Sequence, residues 1–155
     1  MYNRVMKQLA QNRRGRYDYS IDETLTAGLV LNGPEVKSAK LGQISLKGSF
    51  VTLKDGEAWL HGAYFTPYAP AAGLKLDPER SRKLLLHKKQ LEELKTGREQ
   101  GIQPVPLALI EQKGLVKLVV GLGRGKKRYD KRETIKKREQ DREAGRAMRQ
   151  RTKAS

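Results

Sequence analysis

The sequence predicts a mainly β fold with short α-helices, built as a small closed or nearly closed barrel and followed by a basic tail. Three observations predict it. Short segments rich in β-branched and aromatic residues recur between Gly-containing turns. Helix start signals interrupt them twice. Apolar residues then all but cease: the last Val is Val120 and the last Leu is Leu122.

The elements follow in order. Tyr17–Ile21 and Leu25–Leu31 read as one long bent strand or two. Asn32-Gly33-Pro34-Glu35 stops the strand and starts a helix over Glu35–Leu41, because Pro34 suits the first helical position and Gly42 the stop. Strands over Ser49–Leu53 and Ala58–Phe65 flank Asp55-Gly56, a hairpin signal. Asp77-Pro78-Glu79 has the form of an N-cap followed by a helix-starting proline, and Leu84, Leu85, Leu91 and Leu94 give that predicted helix an apolar stripe up to Thr96-Gly97. Val105–Ile110 and Leu115–Leu122 form a second hairpin around Lys113-Gly114. Strand, helix, two strands, helix, two strands points to an OB-type small β-barrel of about six strands with flanking helices.

The chain of 155 residues carries 33 Lys+Arg against 17 Asp+Glu, a net charge of +16. That field calls for a polyanionic partner. Its distribution is sharper than its total. Residues 1–16 hold five basic groups and no acid, residues 124–155 net +9, and everything between only +2. Segregation of this kind marks the ends as binding arms. The reading therefore divides the chain into a flexible basic leader (1–11), a barrel body (12–123) and a basic tail (124–155). Beyond Gly123 the apolar residues are Tyr129, Ile135, Ala144, Ala147, Met148 and Ala154, too few to offset the entropy of ordering the segment alone. Its composition favours helix once a target is met, with Glu139 and Glu143 three residues before Arg142 and Arg146; Gly145 weakens that helix.

Several chemistries find no support. Cysteine is absent and His61 and His87 are the two histidines, so a zinc site is disfavoured. Gly121-Leu-Gly-Arg-Gly-Lys-Lys127 fails the phosphate-loop spacing, with Val120 where the first glycine belongs and Lys127 where Ser or Thr belongs. No nucleophile triad or carboxylate pair suggests itself. The N-terminus lacks a signal-peptide core and no run is long enough for a membrane span. A non-enzymatic, cytoplasmic binding protein without cofactor or metal is the expectation.

Three clusters carry binding chemistry. Asn12-Arg13-Arg14-Gly15-Arg16-Tyr17-Asp18-Tyr19 sets guanidinium forks beside aromatic rings; spacing alone balances this against a solvated leader. In the predicted helix after Asp77, Arg80, Arg82, Lys83, His87 and Lys88 surround the leucine stripe, and Lys83 and His87, four apart, would share a face. In Leu122-Gly-Arg-Gly-Lys-Lys-Arg-Tyr129-Asp-Lys-Arg132, glycine lets backbone approach phosphate, and Tyr129 has no core to join and suits base stacking. Spacing does not separate RNA from DNA.

These clusters, in this order, resemble the SsrA-binding protein family, also called small protein B. The likeness runs from Asn12 to Met148 through Asn-Arg-Arg-x-Arg-x-Asp-Tyr (12–19), Gly-x-Glu-Val-Lys-Ser (33–38), Asp-Pro-x-Arg-x-Arg-Lys-Leu-Leu-Leu-His (77–87) and Gly-x-x-x-Gly-Lys-Lys-x-Tyr-Asp-Lys-Arg (121–132). It implies an OB-type barrel that binds the tRNA-like domain of tmRNA and brings it to bacterial ribosomes stalled without a stop codon. The candidate tmRNA contacts are Asn12, Arg13, Arg14, Arg16, Lys37, Lys83, Leu85, His87 and Lys117. The small-subunit decoding site would meet Gly125, Lys126, Lys127, Tyr129, Asp130, Lys131 and Arg132. Ile135, Lys136, Lys137, Arg138, Arg142 and Met148 would enter the mRNA channel. Alanyl-tRNA synthetase and elongation factor Tu are implied as indirect partners, with no membrane and no DNA. The chain departs from the family pattern at Thr26, where a glutamate is common, and at Tyr17, where histidine is. On composition alone a ribosomal protein with a threaded basic tail fits as well; the motifs separate the two.

Overall fold

Two tight turns frame the fold of the computed structural model, which describes residues 6–67 and 77–126 together with Arg138, Glu139 and Arg142. Asp55 (φ 52°) and Gly56 (φ 75°) join β4 (Phe50–Lys54) to β5 (Glu57–His61), and Lys113 (φ 51°) and Gly114 (φ 79°) join β8 (Gln103–Gln112) to β9 (Leu115–Gly125). Positive φ at both central residues matches the twist of antiparallel strands. Around these hairpins the described elements run β1 (Met6–Gln11), α1 (Arg13–Asp18), β2 (Tyr19–Leu29), α2 (Gly33–Lys40), β3 (Ile44–Ser45), β4, β5, β6 (Tyr64–Phe65), β7 (Arg82–Leu85), α3 (Lys88–Glu99), β8 and β9.

Seven strands make one antiparallel sheet in the order β1-β8-β9-β2-β7-β5-β4, and β3 pairs with β6 separately. The mainly β expectation holds, with the sheet curled into an unclosed barrel. Its seam lies between the free edge of β4 and the first half of β8, across a cleft lined by Phe50, Val51, Pro104 and Pro106. Proline lacks an N–H, and the Pro106 carbonyl accepts from Asn12 Nδ2 at 2.8 Å, on the side away from β9. Pro104, two residues earlier, has the same parity. On its seam side β8 therefore offers no donors at these two positions, and β4 stays an edge.

The inward faces of these strands form the core: Ala27, Ala58, Leu60, Leu84, Leu109, Leu118 and Val120 are almost fully buried. β2 crosses the whole sheet as a single strand, bent by a bulge between Ile21 and Glu23. The strand read over Ala58–Phe65 is instead split at Gly62 (φ 74°), where a Cβ would stand 3.2 Å from the Gly48 carbonyl oxygen. α2 is capped as its sequence predicts: Asn32 Oδ1 accepts from the Glu35 N–H at 2.9 Å, and Glu35 Oε1 accepts from the Asn32 N–H at 3.0 Å.

Three further expectations are corrected. Asp77-Pro78 starts a single turn and no helix: Asp77 Oδ1 accepts from the Glu79 N–H at 2.9 Å, after which Arg82–Leu85 runs extended between β5 and β2. The alternation decides it, since Arg82 and Leu84 are buried while Leu85 is exposed. The helix begins only at Lys88, with Leu94 buried and Leu91 against the core. The leader is no loose arm over its second half: Met6–Gln11 pairs along β8 and buries Leu9, so the body begins at Met6. The body also runs past residue 123, because Ser20 and Tyr19 pair with Arg124 and Gly125. Here β9 touches β2 closely: a Cβ on Gly123 would lie 2.2 Å from the Ser20 carbonyl oxygen, leaving no room for a side chain.

Candidate nucleic-acid interface

Register builds the site. Leu85 on β7 faces Gly28 on β2, and Gly28 faces Lys117 on β9. These three form one row across three strands, on the sheet face opposite the buried Leu84, Ala27 and Leu118. Lys83 and Thr26 lie two residues back on the same face. α3 rises beside them, with His87 exposed at its N-cap and its backbone N–H donating to Gln90 Oε1 at 2.9 Å. The result is an open groove of about 530 Å³ lined by Thr26, Gly28, Glu57, Lys83, Leu85, His87, Gln90 and Lys117. Leu85, with 53% of its surface exposed, is an apolar floor among cations. Lys83 Nζ meets Glu57 Oε1 at 2.8 Å, both side chains well exposed, so a phosphate could exchange for the carboxylate at little cost.

Of the residues the sequence singles out, the groove gathers Lys83, Leu85 and His87 from one segment and Lys117 from another. Lys83 and His87 converge as strand and helix-cap neighbours, where a shared helical face was expected. Arg13, Arg14 and Arg16 are exposed on α1. Arg13 and Arg14 line a second groove of about 340 Å³ with Asn12, Ser45 and Lys47. Arg14 is partly engaged already, 3.5 Å from Asp18 Oδ1 and 4.8 Å above the Tyr17 ring. Asn12 is committed to the frame, its N–H donating to the Leu107 carbonyl at 2.7 Å and its amide to Pro106. Lys37 is exposed on α2 and lines neither groove.

Gly125 is a strand residue, and the Lys126 N–H donates to the Asp18 carbonyl at 2.8 Å. The tail therefore departs from the end of α1. Arg138 and Arg142 are helical and exposed. Lys127, Tyr129, Asp130, Lys131, Arg132, Ile135, Lys136, Lys137 and Met148 lie outside the described residues.

Arg80 and Arg82, read from sequence as part of an anion-binding face, turn inward. Arg82 is fully buried, its guanidinium 2.7 Å from Glu35 Oε2, donating to the carbonyls of Ala63 and Arg80 at 2.9 Å and of Pro78 at 3.0 Å, and lying 3.9 Å over the Phe65 ring. Arg80 grips both oxygens of the same carboxylate. Burial pushes the Glu35 carboxyl up, but hydrogen bonds from Arg80 and from the Asn32 backbone, with the Arg82 charge, outweigh it and hold Glu35 below the ordinary carboxylate value. Burial pulls the Arg82 pKa down against the opposing pull of Glu35. The sequence marks Glu35 only as a helix start, Thr26 only as a departure from the family pattern, and carries no signal for Gln90. The period-2 alternation of Arg82-Lys83-Leu84-Leu85 was the signal for both the clamp and the groove wall.

The profile of the family described as SmpB protein matches residues 9–150. The chain belongs to the SmpB family. The SsrA-binding protein of Anoxybacillus flavithermus is 47% identical over 148 residues, covering 95% of this chain and 96% of its own. That of Leuconostoc mesenteroides is 48% identical over 139 residues, 89% of this chain and 90% of its own. A solved structure described as "tmRNA-SmpB: a journey to the center of the bacterial ribosome" aligns at 43% identity and a TM-score of 0.63, covering 81% of this chain and 92% of that one. The mainly β architecture is thus shared with a SmpB structure. Among the described residues no helix is long and apolar enough to cross a membrane.

Proposed function

We propose that this chain binds the tRNA-like domain of tmRNA and delivers it to stalled bacterial ribosomes for rescue by trans-translation. It acts in the cytoplasm as a binding protein and not as an enzyme. The observation that carries the reading is the row Leu85–Gly28–Lys117 with Lys83 and His87 beside it: cations, an exposed apolar side chain and a helix cap on one groove. Lys83 and Lys117 neutralise phosphates, and release of the counterions those phosphates held drives association. Leu85 packs on a sugar or base face, and His87 donates or accepts one hydrogen bond at the groove wall. Thr26 supplies a hydroxyl where the family commonly has a carboxylate, which removes a negative charge from the floor. Arg13, Arg14 and Arg16 grip the same folded RNA from α1, and Lys37 adds a charge on α2.

The tail serves the ribosome. Gly125, Lys126, Lys127, Tyr129, Asp130, Lys131 and Arg132 meet the decoding site, and Ile135, Lys136, Lys137, Arg138, Arg142 and Met148 follow into the empty mRNA channel. Alanyl-tRNA synthetase and elongation factor Tu act on the same RNA and so meet this protein indirectly. A two-part experiment tests the division. Lys117→Ala should weaken filter binding of the isolated tRNA-like domain, whereas deletion of residues 133–155 should leave that affinity unchanged and abolish tagging of stalled chains. A large affinity loss on tail deletion would overturn the division of labour.

A further inference from the structure

The outer face of the sheet does not stop at Lys83. Lys83 pairs with Trp59 on β5, Trp59 pairs with Thr52 on β4, and His61 pairs with Phe50 one step along the same two strands. Pairing and alternation put Phe50, Thr52, Trp59, His61 and Lys83 on one outward face, opposite the buried Ala58 and Leu60. Three aromatic rings on the solvent side of a barrel are a poor use of apolar surface unless something covers them.

Their arrangement is specific. The Phe50 and His61 rings are stacked, centroids 5.1 Å apart and planes 22° from parallel. The imidazole is fixed at both nitrogens, Nε2 lying 2.7 Å from Thr52 Oγ1 and Nδ1 2.6 Å from Ser81 Oγ. Phe50 is thus backed by a ring that cannot turn, yet 53% of its own surface stays exposed. The platform sits on β4, the free edge of the sheet, and is continuous with the Lys83–Lys117 groove through the Trp59–Lys83 pair.

We infer that the Phe50–His61 pair is a stacking platform for an unpaired nucleobase of single-stranded RNA, with Trp59 beside it and Lys83 taking the adjoining phosphate. The inference deepens the tmRNA-binding reading and rests on it for the choice of RNA. A flat, backed ring with a lysine along the same face suits a base and its phosphate. An added peptide strand, the other occupant a free edge admits, would use the edge of β4 and gain nothing from the stacked rings.

Trp59 is the single tryptophan of the chain and reports on the platform directly. The full chain is titrated with a short single-stranded oligoadenylate while Trp59 fluorescence is read. Folded tRNA-like RNA is measured in parallel by filter binding. Saturable quenching is expected, weakened about 5- to 150-fold by Phe50→Ala and retained by Phe50→Tyr, with the melting temperature of both variants unchanged. No quenching, or quenching with the same midpoint in Phe50→Ala, overturns the platform. So does quenching by an unstructured peptide where the oligonucleotide gives none. If the oligonucleotide binds in this way and the folded RNA does not, the platform stands and the tmRNA reading falls. The reverse result overturns the platform alone.

Discussion

Arg82 and Lys83 are adjacent in one basic motif and have opposite fates. Arg82 is swallowed whole, its charge spent on Glu35, three carbonyls and the Phe65 ring. Lys83 stands in the groove against one exposed carboxylate. A strand turns successive side chains to opposite faces, so one step along the chain separates a buried cation from a solvent-facing one. The contrast teaches that a basic cluster cannot be counted as a binding surface until its local period is known. In a helix, Arg80 and Lys83, three apart, would have shared an exposed face; in a strand, the count of available cations drops.

The contrast can be broken most forcefully at its buried half. Arg82→Ala strands Glu35 in the interior with one partner lost, and should cost about 3–5 kcal/mol in urea unfolding. RNA affinity of the fraction that remains folded should change little. A loss under about 1 kcal/mol would mean that Arg80 alone satisfies the carboxylate.

Acid should act on the same clamp. The folded-state pKa of Glu35 is depressed, so its contribution is fully present above the ordinary carboxylate value and is lost as pH falls through the lower folded value. Urea midpoints taken from neutral pH downward should show a decline that is smaller in Glu35→Gln.

At the exposed half, Lys83→Ala should leave the melting temperature within a few degrees and weaken tRNA-like-domain binding. It should also reduce the slope of log K against log salt by somewhat less than about 1. His87→Ala should weaken binding with a smaller change in slope, since it acts through hydrogen bonding or stacking. Equal slope changes for the two would make His87 a charged contact.

The smallest effect belongs to Glu57→Gln. It removes an exposed partner of Lys83 worth about 0–1 kcal/mol, so stability should barely move. RNA affinity should rise, because Lys83 no longer exchanges one anion for another. A fall in affinity would show that Glu57 holds Lys83 in the binding pose.

What the sequence made legible follows the range of the forces involved. The Asp55-Gly56 and Lys113-Gly114 turns and the capped α2 are set by residues within a few positions, and each stands where local chemistry put it. β1 is different: with Lys7 and Gln8 exposed and Leu9 its one buried residue, it has almost no pattern of its own and exists because the far edge of β8 is open to it. The 77–87 motif failed for a related reason. Asp77-Pro78 is a true local start signal and does form a turn, but pairing with β2 on one side and β5 on the other holds the residues that follow extended. The groove inherits that history. Leu85, Gly28 and Lys117 are 57 and 89 residues apart along the sequence from Gly28 outward, and only sheet register makes them neighbours.

The hydrogen bond from the Lys126 N–H to the Asp18 carbonyl fixes where the tail begins. Asp18 closes α1, the helix that carries Arg13, Arg14 and Arg16, so the chain leaves the sheet beside the arginines proposed to grip RNA. If the residues after Lys126 meet the ribosome as proposed, both contacts share that one root, and moving it would retune the pairing of the two events without altering either surface.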